Sequence, residues 1–163
     1  MRSLPIAKMN FLVHILCTLS IAALPCWAKT PQEIQADLSG QLSSGSETIL
    51  TGNGTYSTDF TQRWTIYFEA EPTYSVAAKP ATIEDVQAIV QYAARNNVSF
   101  MATGGGHGYS TTLSGVQDAL DVDLGNFKSV SVDAYANTMT VGGATIFADI
   151  YDPLYNAGKQ IRE

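Results

Sequence analysis

At 163 residues, with fifteen acidic against nine basic side chains, the chain has room for one domain and carries a net charge of −6. That balance argues against a nucleic-acid partner, which needs a basic face to displace counterions. Both cysteines, Cys17 and Cys26, lie in the first 28 residues, as does one of the two histidines. A chain starting at Lys29 would therefore hold no disulfide framework and no zinc cluster, and no metal ligands are assigned.

Residues 1–28 read as a secretory signal peptide. Arg2 and Lys8 give a positive n-region, Phe11 to Leu24 an apolar core, and Cys26-Trp27-Ala28 a small-x-small cleavage site. The apolar stretch from Met9 to Leu24 is about sixteen residues and includes His14, short of the roughly 20 that span a bilayer, so no stable membrane anchor is expected. Removal of the leader takes two basic residues and no acidic ones, moving the net charge from −6 to −8. A secreted or secretory-pathway protein is expected, and Asn53-Gly-Thr55 and Asn97-Val-Ser99 match the glycosylation acceptor pattern.

Residues 29–62 read as an N-terminal helix and an irregular segment. Ile34, Leu38 and Leu42 lie at helical spacing within Pro31 to Leu42. Ser43 to Thr61 is rich in Ser, Thr, Gly and Asn and reads as irregular surface. Arg63-Trp64 opens an apolar run to Phe68, and Thr73 to Lys79 reads as a strand. A strong amphipathic helix follows, with Ile83, Val86, Ile89, Val90, Ala93 and Ala94 on one face. Thr82 with Asp85 forms its capping box, and Asn96-Asn97 ends it.

Val98 to Ala102 reads as a strand that delivers the chain into Gly104-Gly-Gly-His107-Gly-Tyr-Ser110. Beyond that turn, Ala119 to Leu124 alternates as a strand with one polar and one apolar face. Ser129 to Asp133 and Thr138 to Val141 read as strands joined at Ala134 to Asn137. Gly142-Gly143-Ala144 is a second glycine turn, and Thr145 caps a helix from Ile146 to Asn156 that Pro153 should kink or end. The class is α+β.

The glycine turn is the candidate site. Glycines permit close approach to the main chain, and successive N–H groups in such a turn can form a nest for an anion, typically a phosphate. A plain tight loop is the competing reading. A doubly wound dinucleotide fingerprint is disfavoured because no helix opens directly after the glycines. There is no Gly-Lys-Ser/Thr of a phosphate loop and no Gly-x-Ser-x-Gly nucleophile elbow. His107, flanked by glycines, is poorly oriented for general-base work.

Ala81-Thr-Ile-Glu-Asp-Val86, Ala93, Asn97-Val-Ser-Phe100 and Gly104-Gly-Gly-His-Gly-Tyr-Ser110 together resemble the flavin-binding domain of the vanillyl-alcohol oxidase superfamily. More narrowly, they resemble its berberine-bridge-enzyme-like FAD-linked oxidoreductases of fungal secondary metabolism. Asp121-Val-Asp-Leu124, Val130-Ser-Val132, Met139-Thr-Val-Gly-Gly-Ala144 and Asp149-Ile-Tyr151 continue the similarity in order. The resemblance implies the N-terminal portion of a PCMH-type FAD-binding domain over 63–163, with the substrate domain absent.

It also implies FAD as cofactor, attached covalently through His107 at the 8α position. Gly104, Gly105, Gly106 and Gly108 would face the pyrophosphate, Tyr109 and Ser110 would lie close by, and Gly143 and Thr145 would approach from the second turn. Many relatives carry an arginine four residues before the histidine, where Thr103 stands here. A second, cysteinyl flavin bond is not supported, since no cysteine survives processing. No catalytic base is assigned.

The expected function is FAD-dependent two-electron oxidation of a small organic substrate. The alternative is a truncated, non-catalytic remnant or binding module of the same fold, with poor solubility expected of the isolated 29–163 segment.

Overall fold

The computed structural model describes residues 28–51, 59–64, 72–108 and 110–161. The signal-peptide reading of 1–27, the acceptor pattern at Asn53, the run from 65 to 68 and Tyr109 lie outside the described residues.

Helix α1 (Pro31–Gln41) and strand β1 (Glu47–Leu50) lead to β2 (Tyr74–Lys79), α2 (Ile83–Asn96), β3 (Phe100–Thr103) and β4 (Ala119–Asp123). A hairpin of β5 (Val130–Asp133) and β6 (Thr138–Val141) follows, then α3 (Phe147–Asn156). The main sheet has the order β1-β2-β4-β3. Strands β2, β4 and β3 are parallel, and β1 adds antiparallel at the edge. The α2 crossover thus leaves a gap between β2 and β3 that β4 fills. The carboxyl ends of the three parallel strands share one edge of the sheet, where ligands of such sheets bind.

One face of the sheet carries the apolar core. Val76 and Ala78 of β2 and Leu120 and Val122 of β4 pack with Ile34 and Leu38 of α1 and Ile89 and Tyr92 of α2. Helix α2 forms as its periodicity demands: Thr82 and Asp85 make both halves of the capping box, and Asn97 closes it in the left-handed conformation at φ 52°.

Asp85 does more than cap. Its carboxylate also accepts from Ser43 N at 2.8 Å, Ser43 Oγ at 2.7 Å and Ser46 Oγ at 3.0 Å, tying the loop after α1 to the start of α2. The Ser43 backbone and hydroxyl donors hold its carboxyl well below the usual carboxylate range. A depressed folded pKa stabilises the protein above the unfolded value and loses that contribution as pH falls through the folded one. Asp85→Asn is therefore expected to lower stability by roughly 1–3 kcal/mol near neutral pH. Paired thermal melts should show the gap between the two proteins narrowing below about pH 4. A gap of equal size at pH 7 and pH 3 would contradict this assignment.

Five sequence expectations change. Glu47–Leu50 is a strand within the stretch read as irregular, because pairing with β2 supplies the hydrogen bonds. All of β4 is buried, polar positions included: Asp121 and Asp123 are both 0% exposed. Thr111–Gly115 forms a 3-10 turn after the glycines. Helix α3 begins one residue late with Ile146 at its cap, where Asp149 Oδ2 accepts from Ile146 N at 2.9 Å. The Thr145 hydroxyl, expected to cap, donates to Ser129 O at 3.2 Å instead. Pro153 does not end α3, which runs on to Asn156.

Candidate functional site

Strand β3 ends at Thr103, and the chain turns through Gly104, Gly105, Gly106, His107 and Gly108 at the carboxyl edge of the parallel strands. Gly106 is in the left-handed region, at φ 71°, which favours glycine. His107 is exposed at the apex. Among the described residues, none accepts a hydrogen bond from the backbone N–H groups of Gly105, Gly106, His107 or Gly108. Successive N–H groups of this kind can hold an anion.

The second glycine turn packs directly on the first. A Cβ on Gly104 would stand 2.7 Å from Gly143 O, and one on Gly105 would stand 2.6 Å from Ile146 Cγ2. Gly104→Ala is therefore expected to push the two turns apart and cost roughly 1–3 kcal/mol of stability. Reduced FAD retention should accompany the lower melting temperature, and retention equal to the unsubstituted chain would contradict a shared site. Gly143 is exposed beside this contact, while Thr145 is half-buried with its hydroxyl already donated to Ser129 O. The Ser110 hydroxyl is turned locally, accepting from Thr112 N at 3.3 Å. The structure thus brings Gly104, Gly105 and Gly143 together, while Ser110 and Thr145 use their hydroxyls within the protein.

Beneath the turn lies a polar layer that the sequence pattern did not distinguish from an exposed face. Thr103 Oγ1 donates to Asp121 Oδ1 at 2.6 Å. Tyr74 joins this layer: burial first, and then the Asp121 charge, push its phenol up to about 12. Asp123 accepts from Thr61 N at 2.5 Å, Thr61 Oγ1 at 2.8 Å and Gly125 N at 2.7 Å. Thr61 thereby lays the 59–64 segment across the sheet face, with Phe60 2% exposed.

That segment carries two residues absent from the sequence-derived site. Arg63 Nη2 donates to Gly108 O. Trp64 N donates to Gly106 O at 3.0 Å, and its ring centroid is 6.2 Å from that of His107. A cation thus reaches the turn from Arg63, while Thr103 is engaged with Asp121. The adjacent Arg63-Trp64 pair was the available signal, but nothing in the sequence related it to a turn more than forty residues later.

A glycine turn carrying an exposed histidine, backed by a second glycine turn at the carboxyl edge of a mixed sheet, fits a flavin-binding domain of the PCMH type. The FAD binding domain family matches residues 74–162, more than half of the chain, and the chain belongs to that family. It is 44% identical to the FAD-linked oxidoreductase azaL of Aspergillus niger over 151 residues, which are 93% of this chain and 31% of that protein.

The berberine-bridge-enzyme-like protein 1 of Physcomitrella patens superposes with a TM-score of 0.59 at 28% identity, over 79% of this chain and 26% of that one. The glucooligosaccharide oxidase of Acremonium strictum, described with a 6-S-cysteinyl, 8α-N1-histidyl FAD, superposes with a TM-score of 0.53 at 25% identity. That match covers 69% of this chain and 22% of the oxidase. The chain spans about a third or less of these relatives. Backbone donors with no acceptor among the described residues, and an accessible imidazole, fit FAD, and FAD is the cofactor of this domain.

Proposed function

We propose that this chain supplies the histidine end of the FAD site in a secreted FAD-linked oxidoreductase. The substrate in this reading is a small organic molecule of secondary metabolism, oxidised by two electrons. One observation carries it: His107 is exposed at the apex of a turn whose N–H groups face no acceptor among the described residues. Bound FAD would take up hydride from the substrate and pass the electrons to dioxygen, while the protein binds and tunes it.

The chain's own residues have distinct tasks. The N–H groups of Gly105, Gly106 and Gly108 bind the pyrophosphate, and Gly104 lets the second turn close on the first. His107 is the covalent attachment point, since an unprotonated imidazole nitrogen is nucleophilic. Ser110, Gly143 and Thr145 border the cofactor. The full chain, incubated with FAD and precipitated in acid, should give a yellow pellet; protein that binds no flavin at all would overturn the reading.

The second reading, a non-catalytic binding module of the same fold, is favoured by one feature. Val141, Phe147, Tyr151 and Tyr155 are 46%, 54%, 54% and 84% exposed. Flavin binding without reduction of the bound flavin by any substrate offered would favour it.

Secretion belongs to the same proposal, with cleavage after Ala28. Among the described residues no helix is long and apolar enough to cross a membrane. Asn97 is exposed at the end of α2, which supports its use as a glycan acceptor. Expression in a secreting host should yield protein beginning at Lys29, with a glycosidase-sensitive band that shifts in Asn97→Gln. Protein retained in the cell with residues 1–28 intact would contradict secretion.

A further inference from the structure

His107 is held from outside its own turn. The carbonyls on either side of it, those of Gly106 and Gly108, both accept hydrogen bonds from one dipeptide. Trp64 N donates to the first at 3.0 Å and Arg63 Nη2 to the second. The Trp64 ring lies tilted by 53° beside the imidazole and is itself 76% exposed. Behind Gly106 the backbone is in close contact: a Cβ there would stand 2.5 Å from Gln62 O and 3.3 Å from the Arg63 Cα.

The dipeptide is anchored in turn. Thr61 gives both its N–H and its hydroxyl to Asp123, which is 0% exposed at the end of β4. A continuous set of bonds therefore runs from the sheet through Thr61 to both flanks of His107. The Arg63 Nε is buried and has no hydrogen-bond partner among the described residues, so the guanidinium keeps one donor uncommitted. Residues 59–64 lie outside the matched 74–162 segment.

We propose that Arg63 and Trp64 are the positioning residues for covalent flavin attachment, clamping the carbonyls that flank His107 and so aiming its imidazole at the cofactor. This rests on the reading of His107 as the attachment point. Attachment joins an imidazole nitrogen to the 8α carbon, removing a proton from the N–H and a hydride equivalent from the methyl. The electron pair passes through the flavin to dioxygen. Such a reaction depends on orientation, and misplacement of about 1 Å can cost a hundredfold in rate. A planar fork suits Arg63 to the task, whereas lysine offers only a point charge.

The test separates covalent from non-covalent flavin in the full chain incubated with FAD. Acid-precipitated and acid-soluble flavin are measured for the unsubstituted chain, Arg63→Met, Arg63→Lys and Trp64→Leu. Arg63→Met is expected to bind FAD but attach it at least about tenfold more slowly. Arg63→Lys should recover part of that rate, and Trp64→Leu, which keeps the backbone donor and removes only the ring beside the imidazole, should fall between, each with a melting temperature close to the unsubstituted chain.

Attachment at the normal rate in Arg63→Met would overturn the proposal. So would loss of bound flavin and of the folded state together in both Arg63 variants, which is the mark of a merely structural role. An unsubstituted chain that binds FAD without attaching it would instead refute the assignment of His107, a failure distinct from this one.

Discussion

His107→Ala is expected to abolish covalent flavin while leaving the protein folded. The side chain is exposed, and its removal opens no cavity and breaks no hydrogen bond among the described residues. The neighbouring N–H groups belong to the backbone and survive the substitution. The variant should therefore still bind FAD, more weakly, and release all of it into the supernatant on acid precipitation. Its stability in the absence of flavin should stay within about 0.5 kcal/mol of the unsubstituted chain, as for surface substitutions generally. A yellow pellet from His107→Ala would place the attachment elsewhere.

Gly106→Ala is expected to produce the largest loss of stability at the site. Two independent penalties meet there. The left-handed conformation at φ 71° costs a non-glycine residue about 1–2 kcal/mol. The added methyl would also stand 2.5 Å from Gln62 O, a backbone atom that has no rotamer to escape into, and overpacking of this kind costs about 1–3 kcal/mol more. The total of roughly 2–5 kcal/mol corresponds to a fall of about 10 °C in Tm for a chain of this size. Because the clash separates the 61–64 segment from the turn, flavin attachment should fail along with stability. A Tm within a degree or two of the unsubstituted chain would contradict the close packing of these segments.

The parts of the fold that were legible in sequence are those whose signals are local. Helix α2 carries its own apolar stripe, its own capping box and its own terminating asparagine, and it forms where all three point. Strand β6 occupies Thr138–Val141 as read, between a tight turn and a glycine turn. The glycine-histidine turn was legible as a turn from its glycines, and as a cofactor site only because the order of segments around it resembles one family.

What escaped was set by contacts distant in the chain. Alternation in Ala119–Asp123 reports which side chains are polar, not which are exposed. Asp121 and Asp123 are buried because Thr103 and Thr61 reach them from other segments. Strand β1 is four residues of weak pattern whose identity comes from β2. Pro153 was expected to kink or end its helix, and it does not end α3, where Ala157 N donates to Pro153 O at 3.1 Å. Arg63 and Trp64 were visible only as an apolar run's first residues, since their partners Gly108 and Gly106 lie more than forty positions away.

In the function proposed for this domain, His107 is the point at which it holds its flavin. Proteolysis of the acid-precipitated yellow protein, followed by mass spectrometry of the peptide spanning Phe100 to Lys128, tests it most directly. That peptide is expected to carry the added mass of FAD less two hydrogens, with fragmentation placing the addition on His107. The same peptide unmodified, with flavin recovered on another residue or free in solution, would contradict it.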